Sequence, residues 1–265
     1  MTKRSRSPKK SRVLVLMPTL GKRNDLLRQT LKSIAGQKPI AADVVMVFPQ
    51  KDTATQALSK EFGAMTVDDP GAGLSSAVNA ALTAAKPWHE YITWLGDDDL
   101  LTSNSLVTSV KALDSNKNAV VAFGYCHYIN LDGQVIFTSR AGRFAPWLMT
   151  WGPDLVPMPG LLMRRKALDK VGKFDINNKW SMDLDILLRL RKTGKFINTK
   201  TTLACFRWHE TSQTVSNRPK VLQESEIVKR KYLPKYSKVM SPLWERPVRI
   251  ATNLAVNRVN KLARS

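Results

Sequence analysis

The sequence predicts an α/β protein with a mixed, mainly parallel central sheet flanked by helices. Short β-rich runs alternate with helical patterns as far as residue 113, which is the order that builds a parallel sheet. The chain has 265 residues, of which 43% are hydrophobic, so it can bury a sizeable core. A carboxylate cluster, residues 97–99, directly follows the apolar run Tyr91–Leu95. Ligands of open α/β sheets bind at such strand ends.

The first half supplies four strand and helix pairs. In the first helix, Leu27, Leu31 and Ile34 recur at helical spacing, and Asn24 is its expected cap. The predicted strands are Val13–Met17, Asp43–Phe48, Ala64–Val67 and Tyr91–Leu95, and the predicted helices are Asn24–Ala35, Thr53–Phe62, Leu74–Ala85 and Ser103–Leu113.

The second half is less regular. A hairpin is expected where Val120–Tyr128 and Gln134–Thr138 flank Asp132-Gly133. Residues 146–160 are rich in proline and tryptophan and are expected to form a loop, either a surface loop packed by its own aromatic residues or a wall that binds an acceptor. Helices are expected near Lys166–Val171 and Ser181–Lys192.

The net charge of +21 is concentrated at the two ends of the chain. Residues 1–12 carry six basic and no acidic side chains, and residues 218–265 carry twelve basic against three acidic ones. We therefore expect a disordered basic tail over 1–12, a domain over 13–217 and a basic helical extension over 218–265. The basic ends indicate an anionic partner, which could be a membrane surface, a nucleic acid or an acidic polymer.

The expected location is cytoplasmic, with attachment to the inner face of the cell membrane as a further option. Cys126 and Cys205 form neither a disulfide framework nor a zinc spacing, which favours free thiols in a reducing compartment. No run of 18 apolar residues is present, and Val13–Leu16 is too short an apolar run for an export signal.

The three consecutive carboxylates of residues 97–99 have two interpretations. They could form a solvated acidic turn in which Asp99 caps the next helix. Alternatively, their mutual repulsion could be relieved by a hard cation such as Mg2+ or Mn2+, shared with a substrate phosphate. Their place after an apolar strand, in a chain otherwise so basic, favours the second interpretation.

Several segments together resemble the family-2 glycosyltransferases of the GT-A fold. Each segment is weak evidence alone, and their order and spacing from about residue 13 to residue 217 make the set specific. The matching segments are Val13–Thr19, Leu27–Gln37, Gly73–Ala81, Tyr91–Leu101, Met158–Leu168, Val171–Asp175, Met182–Leu190 and Arg207–His209 with Ser212.

Three positions depart from the usual pattern of that family. Phe48-Pro49-Gln50-Lys51 stands where acidic residues usually end the second strand, so recognition of the nucleobase must differ. Gly96 replaces the first aspartate of the metal motif, and Met182 replaces the glutamate before the catalytic aspartate.

The resemblance implies an inverting glycosyltransferase that uses a nucleotide-sugar donor and Mn2+ or Mg2+. It implies that Asp99, Asp98 and His209 bind the metal. Pro18, Thr19, Asp98 and Arg207 are the candidates for donor binding, with Asp98 on the ribose hydroxyls and Arg207 on a phosphate. Asp97 is expected to point away from the site, since side chains alternate along an extended segment.

The resemblance also implies a catalytic base on the helix near residues 181–192, where Asp183 and Asp185 compete. Residues two positions apart on a helix point about 200° away from each other, so Asp183 and Asp185 cannot both face one site. Asp183 heads an apolar stripe that must face the interior, whereas Asp185 lies four residues before Arg189, in the order of an exposed ion pair. Asp183 is therefore the predicted base, with a first-turn helix anion as its alternative.

The expected acceptor is a lipid-linked or polymeric glycan of a cell envelope. A nucleic-acid-binding protein and a sugar nucleotidyltransferase remain the alternatives, although no nucleic-acid motif is present, and the sequence gives no oligomeric state. From Trp244 onward, apolar residues recur at helical spacing among basic ones. This helix could lie on an anionic membrane or dock on the catalytic domain. Its apolar residues are Val248, Ala251, Leu254, Ala255, Val259 and Leu262.

Overall fold

The computed structural model describes residues 10–209, 212 and 216–264. A nine-stranded sheet runs through them in the order β3-β2-β1-β4-β8-β6-β9-β5, with β7 paired to β6. The strands are β1 (Val13–Pro18), β2 (Ala42–Phe48), β3 (Met65–Asp68), β4 (Tyr91–Trp94), β5 (Leu100–Leu101), β6 (Ala119–Ile129), β7 (Val135–Ser139), β8 (Leu162–Arg164) and β9 (Lys195–Arg207).

The sheet is mixed and mainly parallel, as the sequence predicts. Strands β2, β1 and β4 run parallel to one another, β3 runs parallel to β2, and β9 runs parallel to β6. The short strand β8 is antiparallel to both β4 and β6 and so joins the two parallel parts. The predicted hairpin of β6 and β7 is confirmed.

Helices cover both faces of the sheet. In strand β1, Leu14 packs in one apolar cluster and Val15 in another, because neighbouring side chains point to opposite faces. Both are fully buried, as expected for a parallel strand covered on both sides. The helices are α1 (Asn24–Ala35), α2 (Thr53–Glu61), α3 (Leu74–Leu82), α4 (Ser105–Asp114), α5 (Ala145–Trp151), α6 (Arg165–Val171), α7 (Met182–Arg191), α8 (Arg218–Tyr232), α9 (Lys235–Met240) and α10 (Pro242–Arg264).

The structure corrects several expectations about single elements. Asn24 is the first residue of α1 rather than its cap, and its side chain accepts a hydrogen bond from Thr55 instead. Residues 146–160 are not all loop, because α5 occupies their first part, with Pro146 in the first turn, where proline is tolerated. Strands β5 and β9 were not predicted.

The tail that was predicted to be disordered covers residues 1–12, and its last residues belong to the ordered domain. Residues 1–9 are not described, but Ser11 and Arg12 are bonded to the domain. The hydroxyl of Ser11 donates to the carbonyl of Ala41 at 2.8 Å, and Arg12 pairs with Glu90 and Asp114 at 2.7 Å. The ordered domain therefore begins before residue 13.

Helices α8–α10 of the basic extension pack against the domain through specific polar contacts. The Glu224 carboxylate of α8 accepts from the backbone N–H groups of Trp180 and Ser181 at 2.7 Å, at the start of α7. Trp208, which follows β9, donates from Nε1 to Asn260 of α10 at 2.7 Å. These contacts hold the extension over the carboxyl ends of the strands.

Among the residues that the structure describes, no helix combines the length and the apolar character needed to cross a membrane.

Candidate active site

The carboxylates of residues 97–99 form a turn after β4, closed by a hydrogen bond from the N–H of Asp99 to the carbonyl of Gly96. Asp97 accepts from the Thr19 hydroxyl at 2.6 Å and from Arg23 at 2.8 Å. The expectation that Asp97 points away is therefore wrong. Side chains alternate only along extended backbone, and this segment turns.

Asp98 and His209 are brought together, as the sequence predicts, with Arg23 beside them. The Nε2 atom of His209 lies 2.9 Å from Oδ2 of Asp98, and the Nη1 atom of Arg23 lies 2.5 Å from the same oxygen. Arg23 also contacts Asp97, so one guanidinium neutralises two carboxylates of the turn. Sequence analysis gave Arg23 no role.

Asp99 is the most deeply buried carboxylate of the three, at 4% exposure. Its Oδ1 accepts the backbone N–H of Arg207 at 3.0 Å. Burial, reinforced by the neighbouring charge of Asp98, raises the pKa of Asp99 well above its ordinary value. A bound cation would relieve this cost and favour the ionised form.

The donor set suits a hard divalent ion that is shared with a substrate. A Cβ atom built on Gly96 would lie 3.0 Å from Oδ2 of Asp99 and 3.1 Å from Oδ1 of Asp98, so both carboxylates crowd around the glycine. A side chain at position 96 would therefore require these carboxylates to shift by a few tenths of an ångström. Within the described ranges, no three His, Cys, Asp or Glu side chains are grouped so that they could hold a metal by themselves. Two carboxylates completed by phosphate oxygens match the usual Mg2+ arrangement.

Arg207 is not placed to bind a phosphate, which corrects the sequence prediction. Its side chain is 1% exposed, and its guanidinium donates to the carbonyls of Asp98, Asn130 and Leu131 and to the side chain of Gln29. Arg207 instead stabilises the backbone of the aspartate turn through its hydrogen bond to the carbonyl of Asp98.

Pro18 and Thr19 lie at the carboxyl end of β1, next to the aspartate turn. Pro18 is the last residue of the strand, and the N–H of Thr19 donates to the carbonyl of Val47. The hydroxyl of Thr19 is committed to Asp97. Their proposed contact with the donor stays a prediction.

A cavity of about 880 Å3 opens beside the aspartate turn, and of the predicted metal ligands Asp99 lines it, whereas Asp98 and His209 are not among its lining residues. Asp99 and Asp183 both line it, although 84 positions separate them in the sequence. Its volume falls in the range of small-molecule sites. Other lining residues include Trp94, Gly96, Tyr128, Trp151, Asp154, Trp180, Trp208, Arg218, Lys229, Trp244, Val248, Ala255 and Val259.

Asp183 lies in the first turn of α7 and is held by Trp94 of strand β4, whose Nε1 donates to its Oδ1 at 3.0 Å. Burial raises the pKa of Asp183 to about 7, and the charge of Asp154 contributes in the same direction, while the Trp94 hydrogen bond opposes it. A carboxylate with a pKa near neutrality can accept a proton efficiently at neutral pH.

Asp185 faces away from Asp183, as the helical-face argument predicts. It pairs with Arg189 at 2.7 Å, four residues later, and accepts from the Tyr232 hydroxyl of α8 at 2.7 Å. The expectation that this ion pair is exposed is wrong, because Asp185 is 3% exposed. It joins α7 to the basic extension.

The family model described as glycosyl transferase family 2 matches residues 14–172, more than half of the chain. The chain belongs to glycosyl transferase family 2. A comparison with curated proteins returned no match.

Solved structures with the same fold include two with nucleotide sugars bound. TarS 1-349 of S. aureus in complex with UDP-GlcNAc matches with a TM-score of 0.63 at 15% identity, over 86% of this chain and 69% of that one. Mannosyltransferase PcManGT from Pyrobaculum calidifontis, in complex with GDP-Man and Mn2+, matches with a TM-score of 0.64 at 16% identity, over 96% and 74%. Another TarS structure is covered over only 39% of its length. These likenesses confirm the predicted GT-A fold.

Three residues of the site in this family-2 domain were given no role from the sequence. Trp94 packs against the core and also orients Asp183. Asp154 belongs to the segment after α5, and burial raises its pKa to about 6 although its side chain is accessible from the cavity. Arg218 reaches the cavity from α8. Asp154 lies in the Pro/Trp-rich residues 146–160, which were predicted as a possible acceptor wall and contribute residues 153–159 to the cavity. No local pattern marks Arg218, because its role depends on how α8 folds over the sheet.

Proposed function

We propose that the protein is an inverting, metal-dependent glycosyltransferase that moves a sugar from a nucleotide-sugar donor to an acceptor hydroxyl. The observation that carries this proposal is the shared cavity, which is lined by Asp99 at the end of β4 and by Asp183 at the start of α7. Such a transfer needs a group that neutralises the leaving diphosphate and a base that deprotonates the acceptor.

Asp98 and Asp99 would hold Mn2+ or Mg2+ together with oxygens of the donor diphosphate. A divalent ion supplies Lewis-acid stabilisation of the leaving group. His209, which was predicted as a third metal ligand, instead contacts Asp98 at 2.9 Å, and we propose that it orients that carboxylate. Arg207 holds the turn through its bonds to the backbone. Pro18 and Thr19 border the same edge and are the candidates for contact with the nucleoside.

Asp183 is the proposed base. The acceptor hydroxyl would transfer its proton to Asp183, and its oxygen would attack the anomeric carbon of the donor from the side opposite the diphosphate. The bond to the diphosphate oxygen would break, the electron pair would leave with that oxygen, and the anomeric configuration would invert. Trp94 keeps Asp183 directed into the cavity by its 3.0 Å hydrogen bond.

The comparisons support a nucleotide-sugar donor without naming it. One similar structure contains UDP-GlcNAc, and another contains GDP-Man and Mn2+. The family match argues against the two alternatives, a nucleic-acid-binding protein and a sugar nucleotidyltransferase. Mn2+ or Mg2+ remains our proposed cofactor.

For the acceptor, we propose a lipid-linked or polymeric glycan of a cell envelope, reached from an anionic membrane surface. The predicted amphipathic stripe of α10 does not face outward as a unit, since Val248, Ala255 and Val259 line the cavity. This favours the docked alternative for that stripe. Leu254 of the predicted stripe faces outward instead, together with Ile250, at 64% and 62% exposure, and these two residues form an outer stripe. Together with neighbouring basic residues, this outer stripe suits the surface of an anionic membrane.

The membrane part of the proposal is tested on the outer stripe alone. Exchange of Ile250 and Leu254 together for glutamine should reduce cosedimentation with vesicles containing anionic lipid, while nucleotide binding stays intact. Ile176→Gln, at an apolar position of 59% exposure outside the extension, is the matched control. Equal cosedimentation of the double variant and the control would refute the outer stripe as the membrane contact.

The enzymatic proposal is tested with nucleoside diphosphates. Thermal unfolding is measured with UDP, GDP, ADP and CDP, each with Mn2+, with Mg2+ or with a chelator. A ligand at a hundredfold excess over its Kd should stabilise the protein by about 2.7 kcal/mol. We expect at least one diphosphate to stabilise the protein only with metal. No stabilisation by any combination would contradict the proposal.

A further inference from the structure

Two arginines that line the cavity, Arg218 and Arg258, have no carboxylate partner within the described part of the chain, and Arg218 is the more buried of the two. Arg218 is the first residue of α8, is half-buried and lines the cavity that contains Asp183. Its Nε atom is buried without a hydrogen-bond partner. Among the described residues, no carboxylate lies within ion-pairing distance of it, whereas Arg230 pairs with Glu245 on the same extension.

An unpaired guanidinium in such a place costs free energy. A guanidinium stays protonated in proteins, so it cannot escape the cost of burial by losing its charge. Burial lowers the pKa of Arg218, in the direction expected for a cation removed from water. A residue that destabilises the empty protein in this way suits a site that an anion completes.

The surroundings of Arg218 narrow the chemistry of that anion. Lys229 lies eleven residues later on α8, about three turns, so both cations share one face of the helix. Lys229 already donates to the carbonyl of Gly152 at 2.6 Å, which leaves Arg218 as the free cation of this face among the described residues. The same cavity is also lined by apolar side chains of α10, such as Val248 and Val259. A phosphate attached to an apolar chain would match both the cationic and the apolar lining.

We propose that Arg218 binds a phosphate group of the substrate in this cavity. The inference rests on the proposed function, and it deepens that function because the phosphate belongs either to the donor diphosphate or to a phosphate ester of the acceptor. A guanidinium binds phosphate through paired, charge-assisted hydrogen bonds, which a lysine or an amide cannot reproduce.

The test uses the full chain with Arg218→Met, which keeps the length of the side chain and removes the charge. Octyl phosphate, below its micelle concentration, is the probe for an acceptor phosphate. Octyl glucoside is the uncharged probe of the same chain length, and UDP and GDP with Mn2+ are the probes for the donor. Lys235→Gln, at an exposed lysine of α9, controls for net charge.

If Arg218 binds a phosphate of the acceptor, Arg218→Met should lower the affinity for octyl phosphate about 10- to 100-fold. Its affinities for octyl glucoside and for the nucleotides should not change. If Arg218 binds a phosphate of the donor, the same loss of affinity should appear for UDP or GDP instead. Either result supports the proposal, and Lys235→Gln should show neither. Equal affinity of Arg218→Met for every probe, or an equal loss for octyl glucoside, would overturn it.

A second readout separates a binding role from a structural one. Removal of an unpaired buried charge should leave the ligand-free Tm of Arg218→Met unchanged or higher, whereas loss of a structural arginine would lower it. The octyl phosphate arm needs neither metal nor donor. Its failure is therefore distinguishable from a failure of the proposed glycosyl transfer, which the nucleotide panel tests.

Discussion

The aspartate turn and the cavity wall that contains Asp183 and Arg218 bury their charges in opposite ways. In the turn, Asp97 accepts from Thr19 and Arg23, and Asp99 accepts a backbone N–H. On the wall, counting only described residues, Asp183 has one hydrogen bond, from Trp94, and the Nε atom of Arg218 has none. The turn is organised before any ligand arrives, while the wall is left for the substrate to complete. This difference fits a donor site that is rigid and an acceptor site that gains its partners on binding.

Asp99→Ala should produce the largest change on the donor side. The substitution removes a carboxylate that converges with Asp98 around Gly96, so metal-dependent nucleotide affinity should fall on the order of 100-fold or more. Calorimetry with a nucleoside diphosphate and Mn2+ measures the loss. Asp132→Ala, in the exposed hairpin turn, is the control. Unchanged affinity in a folded Asp99→Ala protein would remove Asp99 from the metal site.

The pH dependence of transfer probes the wall. The base acts in its ionised form, and the pKa of Asp183 is raised to about 7, so kcat/KM should fall about tenfold for each pH unit below 7 and level off above it. Asp154→Asn removes a nearby negative charge that raises this pKa, so its profile should shift toward lower pH. A shift toward higher pH, or a profile flat between pH 5 and 8, would contradict the assignment of Asp183.

Arg23→Met should produce a smaller effect in the turn. Arg23 contacts both Asp97 and Asp98, where it competes with a metal ion for the same negative charge. Without it, Mn2+ should bind several-fold more tightly in the absence of nucleotide, a change of about 1 kcal/mol. Electron paramagnetic resonance of free Mn2+ measures the affinity directly. Weaker Mn2+ binding would mean that Arg23 holds the carboxylates in place for the ion rather than competing with it.

The two regions also differ in how far the sequence predicted them. The aspartate turn follows a buried parallel strand, whose apolar run is visible locally, and so its place in the fold could be predicted. The cavity wall depends on α8 and α10 folding back over the sheet, which no local pattern encodes. Arg218 was therefore missed, whereas Asp154 lies in residues 146–160, which were predicted to form either a surface loop or an acceptor wall.

Two further errors have local physical causes. Strand β9 begins with Lys195-Phe196-Ile197 and continues through a polar, partly exposed run from Asn198 to Thr202, so it lacks the apolar alternation that marks a strand. Arg207 was assigned to a phosphate because the sequence cannot distinguish an arginine that faces a ligand from one satisfied by backbone carbonyls. The helical-face argument placed Asp183 toward the cavity because helix geometry separates it from Asp185, although the expected exposure of Asp185 was wrong.

The most direct test of the division between donor turn and acceptor wall is a paired measurement on Asp183→Asn. The substitution preserves size but removes the basic oxygen, so transfer should fall about 10²- to 10⁴-fold. Calorimetry of the same protein with donor nucleotide and Mn2+ should give an unchanged Kd, since Asp183 takes no part in the aspartate turn. Near-normal transfer by Asp183→Asn, or a loss of nucleotide affinity as large as the loss of transfer, would contradict the account.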